Sequence, residues 1–253
     1  MLKNNRPEPP VFNSVEEARR HLKERLVGGL RIFGMYGFDE GAPGHITARD
    51  PEYPDRFWVN PFGKSFRQIK VSDLICVDHD GNIVEGEGIL NQAAFAIHAA
   101  VHKARPDVIS AAHAHSIFGK TWCTLGRPLD PLTLDACALY DDHVVFNSFE
   151  GEVLDLSEGE AIAQGLGNKK AALLQHHGIL TVGQTVDSAV WWFITVERAC
   201  QSQFLAESIG KPNIVPPNVA ERTRNQIGTE QAGWFNFQPM YENIIKEYPE
   251  LLD

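Results

Sequence analysis

The sequence predicts one layered α/β domain, and three observations carry that reading. At 253 residues the chain is long enough for one large domain with a full core. Segments with helical periodicity alternate with short apolar runs of β type. No segment repeats and no convincing boundary appears. Residues 14–253 therefore read as a single domain behind a polar, proline-rich arm over residues 1–13, expected to be flexible.

The elements follow in order. Ser14 stands three residues before Glu17, a capping box that opens a helix to about Tyr36, with Ala18, Leu22, Leu26 and Leu30 on one face. Glycine, proline and aspartate then dominate, around short strands near Ile46 and over Phe57–Val59. Two β-type runs meet at Asp80-Gly81 as a hairpin. Asn91 caps a helix over about Gln92–Ala104, which Pro106 stops. "DVISAAHAHS" reads as a strand, about Ile117–Leu125 as a helix, and "HVVF" as a strand. Ser157 and Glu160 make a second capping box, for a helix ending near Gly165–Gly167. "KAALLQHHGILTVG" is an apolar strand interrupted by two histidines. The longest helix spans about Val186–Ser208, its stripe made by Ala189, Trp192, Phe193, Val196, Cys200 and Phe204, with Gly210 at its end. A short helical piece near Met240–Lys246 closes the tail.

Composition narrows the function. A net charge of −10 without any lysine or arginine run argues against nucleic acid and anionic membranes as partners. No apolar run is long enough to span a bilayer, and the N-terminus has no apolar signal core. The cysteines at 76, 123, 137 and 200 are scattered without a CxxC pair, so a reduced, cytoplasmic protein is expected. Small molecules and protein subunits remain as partners.

The ten histidines divide by spacing. Residues i and i+2 of a strand share a face, so His113 and His115 project together from one strand end. Two imidazoles held that way suit a divalent metal. His176 and His177 end another apolar strand, and only one of them can join the first pair; spacing does not choose between them. His98 and His102 form a rival pair, four apart on one helix face. Residue 99 is alanine rather than the glutamate of HExxH, so packing or hydrogen bonding is the stronger reading there.

The stretches "GHITARD", "VNPFGKSF", "FAIHAAVHKARPDVISAAHAHS" and "LLQHHGILTVG" resemble, in order and spacing, the class II aldolase/adducin family over nearly the whole chain after the arm. The resemblance implies a class II aldolase-like three-layer α/β/α fold with a mostly antiparallel central sheet, and a homotetramer with sites at subunit boundaries. It implies His113, His115 and His177 as metal ligands. His176 takes the place of the family's asparagine and points away. One divalent metal per chain is implied, zinc expected first and Fe2+ as the alternative. The family chemistry is retro-aldol cleavage of sugar phosphates through a metal-stabilised enediolate.

Several positions depart from that pattern. The acid/base glutamate falls on Ala94, which cannot transfer a proton. The phosphate-holding serines fall on Gln92 and Ala93, the threonine of the phosphate loop on Phe62 beside Gly63, and the phosphate-contacting asparagine on His45. Such a pocket is more apolar and takes a group other than phosphate. His45 and Arg49 flank the former phosphate loop as candidates for a substrate carboxylate, with a structural ion pair to Asp50 or a bond to a loop carbonyl as the alternative for Arg49. The polar cluster "ALYDDHVVF" offers Tyr140, Asp142 and His143 as replacement acid/base groups, ahead of Glu87; a solvated loop is the competing reading. Trp234 and Tyr241 of the aromatic tail are candidates to close over a site, with packing favoured for Trp234.

Three functions follow. The first is a metal-dependent lyase, cleaving C–C bonds or decarboxylating a small non-phosphorylated carbonyl or carboxylate substrate. The second is a non-haem Fe(II) oxygenase on an aromatic or 2-oxo acid, using the same three histidines. The third is a non-catalytic adducin-like binding module.

Overall fold

A computed structural model describes residues 7–149, 151 and 156–253. Residues 1–6 of the proposed arm lie outside the described residues. Residues 7–13 form neither helix nor strand, and Glu8 is tied to the body by a 2.7 Å bond from Gln231 Nε2.

Among the described residues the strands are β1 (His45–Arg49), β2 (Arg56–Val59), β3 (Ile75–Asp78), β4 (Ile83–Glu85), β5 (Ser110–Ala114), β6 (His143–Phe146), β7 (Ala171–Leu174) and β8 (Gly178–Gly183). They make one sheet in the order β4-β3-β2-β1-β5-β8-β7-β6. All neighbours are antiparallel except β6 and β7, which are parallel. The helices are α1 (Val15–Met35), α2 (Gln92–Ala104), α3 (Ile117–Cys123), α4 (Leu134–Cys137), α5 (Leu156–Leu166), α6 (Val186–Ile209), α7 (Pro217–Ile227) and α8 (Glu230–Glu247).

Alternation within the strands builds three layers. Ile46, Ala48, Ala112 and Ala114 face a core with Leu30, Phe33, Phe193 and Phe237 of α1, α6 and α8. Ala111, Ala172, Leu180 and Val182 point the other way, against Ile97 and Val101 of α2 and Ile162 and Leu166 of α5. The mostly antiparallel α/β/α architecture implied by the sequence is therefore the observed one.

Local signals set most boundaries. Asn91 accepts from the Ala94 amide at 3.2 Å and α2 runs over the predicted Gln92–Ala104. At α1 only half of the predicted capping box forms. Ser14 Oγ accepts from Glu17 N, but the Glu17 carboxylate turns to the Asn13 amide at 3.1 Å. The second predicted box is displaced. α5 begins at Leu156, so Ser157 sits inside its first turn, and residue 155 ahead of it lies outside the described residues.

The tail differs most from expectation. Instead of a short piece it holds α7 and the 18-residue α8. Pro217 opens α7 at a position where no amide partner is needed. α8 continues through Pro239, its burial of Trp234, Phe237, Tyr241 and Ile244 against α6 and α1 outweighing the lost bond.

Candidate metal centre

β5 ends at Ala114, and the β1 register sets His45 directly beside His113. β8 flanks β5 on the other side and follows β7 through the turn Gln175–His177. That reversal requires a left-handed residue, and His176 takes it with φ +61°, a conformation histidine tolerates better than most side chains. The turn faces the two histidines differently. His177 joins His113 and His115, with ring centroids 4.7, 5.0 and 5.1 Å apart in edge-on pairs. His176 is exposed and packs on Phe149 instead, centroids 5.7 Å apart.

One ring nitrogen from each of His113, His115 and His177 lies within 4.8 Å of the other two. A tetrahedral metal at 2.0–2.1 Å from imidazole nitrogens needs them about 3.3 Å apart, so the rings would draw together by up to about 1.5 Å on binding. His113 Nδ1–H donates to the Ile179 carbonyl at 2.8 Å, which fixes its tautomer and leaves Nε2 with its lone pair. Burial pushes all three imidazoles below their ordinary value, His177 to about 4, with Lys120 adding to the effect at His115. Neutral imidazoles are the form a metal binds. A soft-to-borderline divalent ion fits this donor set.

The cluster stands in a cavity of about 670 Å³. Phe62, Pro43, Ala93, Ala94, Ile97 and Phe149 give it an apolar wall, and Lys120 of α3 and Thr124 just after it reach its lining. Among the described lining residues there is no carboxylate. His45 is 4 % exposed, and neither of its ring nitrogens has a partner. Its ring lies edge-on to His98 at 4.1 Å and 5.3 Å from His113. Both ring nitrogens of His45 are thus free of protein partners where the residue lines the cavity. Behind it, His98 Nδ1 and His102 Nε2 both bond to Thr47 Oγ1, at 2.8 and 2.9 Å. The rival pair therefore converges on Thr47, while His98 Nε2 has no partner among the described residues.

Comparison with known proteins supplies the deciding match. The family described as "Class II Aldolase and Adducin N-terminal domain" matches residues 24–204. The chain belongs to that family. It is 44 % identical over 246 residues to "Decarboxylase NovR" of Streptomyces niveus, covering 96 % of this chain and 91 % of that one. It is 42 % identical over 245 residues to "4-hydroxy-3-prenylphenylpyruvate oxygenase/4-hydroxy-3-prenylbenzoate synthase" of Streptomyces roseochromogenus subsp. oscitans, covering 96 % and 88 %. Among solved structures, "L-fuculose 1-phosphate aldolase from Glaciozyma antarctica PI12" superposes with a TM-score of 0.91 at 44 % identity, covering 97 % and 96 %.

Within this class II aldolase fold the other candidate residues separate. Phe62 lines the cavity, as does Ala94; Gln92 is exposed outside the lining, and Gly63 (φ +84°) makes an open turn beside Phe62. Arg49 does not reach the cavity. Its guanidinium donates to the carbonyls of Pro54, His102, Val108 and Arg105 at 2.6, 2.5, 3.2 and 3.2 Å. Asp50 is not its partner either, being held by Arg19 and Trp58 Nε1 at 2.7 and 2.8 Å. Arg49 is therefore a structural residue. Arg49→Met orphans four carbonyls and is expected to cost about 3 kcal/mol of stability. In urea denaturation the midpoint drops, while ligand affinity in the cavity stays within about twofold.

Tyr140, Asp142 and His143 are not brought to the histidines of their own chain. Parallel pairing sets His143 beside Ala171, at the start of β7, whereas the histidine turn follows its far end at Leu174. Three residues of strand separate the two ends by about 10 Å. Asp142 pairs with Lys170 at 3.0 Å. His143 accepts from the Leu129 amide at 2.9 Å and bonds the Leu139 carbonyl at 2.8 Å. Glu87 lies outside the lining, in the exposed turn after β4. Trp234 and Tyr241 are buried within α8 and line no part of the cavity. Several lining residues had escaped notice, Lys120 and Phe149 among them. Lys120 could have been found from its place five residues after His115, and Phe149 as an aromatic just beyond a strand end.

Proposed function

We propose that the protein is a metal-dependent lyase acting on a small non-phosphorylated carbonyl or carboxylate substrate, by C–C cleavage or decarboxylation. The observation that supports this is the three-histidine cluster at an apolar cavity with Ala94 where the family pattern has its glutamate. His113, His115 and His177 would hold the ion, Zn2+ in this reading and Fe2+ in the second. A divalent metal held there supplies Lewis-acid stabilisation of charge developing on a substrate oxygen. The chain's own residues do the rest. His45 meets a polar substrate atom with its unpartnered nitrogens. Lys120 offers a cation to a carboxylate, and the apolar wall of Phe62, Ala93, Ala94 and Ile97 excludes water from the body of the substrate.

The polar group Tyr140, Asp142 and His143 enters only through assembly. In the homotetramer that we propose, it serves a neighbouring subunit's cavity, with Tyr140 as the working member because Asp142 and His143 are already engaged. No described helix is long and apolar enough to cross a membrane, and the four cysteines are buried free thiols, which supports placing the protein in the cytoplasm.

A second reading, a non-haem Fe(II) oxygenase, is favoured by the printed name of the 42 % identical relative. The test is turnover of a panel of aromatic and aliphatic 2-oxo and 2-hydroxy acids, with and without oxygen, by protein loaded with zinc or with Fe(II). Equal release of CO2 or a carbonyl product under nitrogen is expected. Turnover only with Fe(II) and matched oxygen uptake transfers the assignment to the oxygenase. No turnover with any metal leaves the adducin-like binding module.

A further inference from the structure

His115 lies just beyond the end of β5, so the sheet alone does not fix it. It is followed at once by Ser116 and the short helix α3. The first amides of a helix have no partner within it, and a capping side chain normally comes from the residue just before. Ser116 occupies that place but makes no capping bond of its own. Its hydroxyl instead donates to Glu197 Oε2 at 2.6 Å. Glu197 comes from the middle of α6 and is 1 % exposed. The amides of Phe118 and Gly119 also donate to its carboxylate, at 3.0 and 2.5 Å. A distant carboxylate thus caps α3, with its charge at the positive end of the helix.

Packing leaves this clamp little freedom. A Cβ on Gly119 would meet Ile179 Cδ1 at 2.1 Å, so α3 sits tightly on β8. Ile179 is also the residue whose carbonyl orients His113. From the clamped helix Lys120, and from just after it Thr124, reach the cavity. The same carboxylate therefore governs where the residue after β5 turns and where the cation of the lining stands.

We infer that Glu197 is a positioning residue of the metal centre, acting through His115 and, further along α3, through Lys120. It touches neither metal nor substrate. This rests on the three-histidine reading proposed above. Glu197→Gln keeps the shape of the side chain but turns an N–H2 group toward the amide of Phe118 or of Gly119, which can only donate. A partner beyond the ligands typically changes metal affinity 10–100-fold.

The experiment is titration of the full-length, metal-stripped protein with Co2+, read by affinity and by the visible absorption bands that report ligand geometry. Circular dichroism and urea midpoints are recorded alongside. Wild type is expected to bind one Co2+ per chain, and Glu197→Gln to bind about tenfold or more weakly with altered bands. Glu197→Asp should recover part of the affinity. In a His115→Ala background, titrated at millimolar Co2+, Glu197→Gln should have no further effect, because the residue through which it acts is gone. Should Glu197→Gln not fold, Ser116→Ala removes one of the three bonds and is expected to weaken binding severalfold. Wild-type affinity and bands in a folded Glu197→Gln, or in Ser116→Ala where that variant is the one measured, overturn the inference. So does an equal loss with and without His115, which marks general destabilisation. A wild type that binds no Co2+ overturns the three-histidine reading itself, a result separate from either of these.

Discussion

His177→Ala is expected to abolish stoichiometric metal binding, whereas His176→Asn is expected to leave it at one ion per chain. The two histidines are adjacent in sequence, share one turn and both line the cavity, yet only His177 joins the ligand cluster. His176 adopts φ +61° and packs on Phe149, while His177 closes the triangle with His113 and His115. Asparagine tolerates the left-handed conformation, so His176→Asn keeps the turn intact. Loss of a direct ligand should exceed the 10–100-fold cost of losing an outer partner, giving at least about 100-fold weaker binding. Thermal unfolding provides a second readout. A ligand at 100 times its dissociation constant stabilises the native state by about 2.7 kcal/mol. Wild type and His176→Asn should therefore show a rise in Tm on adding Zn2+, and His177→Ala should not. Equal behaviour of the two variants would contradict the geometry.

The second large effect is acid lability of the metal-stripped protein. Burial pushes His102 to about 3 and His177 to about 4, and it drives His45, His98 and His113 well below their ordinary value. An unfolded chain protonates these groups near pH 6.5, while the native state does not until far lower. The unfolded state then binds more protons, so stability falls as pH drops from about 6.5 toward 3–4 and is fully present above 6.5. His102 and His177 each contribute a loss of about 3 kcal/mol by pH 4. That sum is a large fraction of a typical stability of about 5–15 kcal/mol. Urea unfolding measured from pH 8 to pH 4 is expected to be flat above pH 7. Below pH 6 it should fall by about 2 kcal/mol or more per pH unit, corresponding to between one and two protons taken up on unfolding by His102 and His177 alone. A pH-independent midpoint across that range would show that these imidazoles are not held neutral.

What the sequence made legible was local or carried by family likeness. The strand-end spacing of His113 and His115, the Asn91 cap of α2 and the Asp80-Gly81 hairpin all depend on residues within a few positions of each other. The choice between His176 and His177 did not follow from spacing, because it depends on the dihedral angle of one turn residue. For Arg49 the carbonyl alternative holds over the carboxylate one, and the sequence could not choose because its four carbonyl partners come from separate segments. Tyr140, Asp142 and His143 were chosen for polar density, but the parallel pairing of β6 and β7 carries them away from the histidine turn. His45 stands beside His113 only through strand register, and Glu197 caps α3 from about 80 residues away along the chain. The length of α8 is masked by Pro239 in its interior, which local rules read as a break, whereas Pro217 at the first position of α7 is a start signal that went unread.

In the proposed reading His113, His115 and His177 together bind one divalent metal ion. X-ray absorption at the zinc edge of protein loaded with one equivalent of Zn2+ tests it most directly. The expected spectrum has a shell of three imidazole nitrogens at about 2.0–2.1 Å with oxygen completing the coordination, and His177→Ala should lose that imidazole signature. An oxygen-only shell, or an unchanged spectrum in His177→Ala, would contradict it.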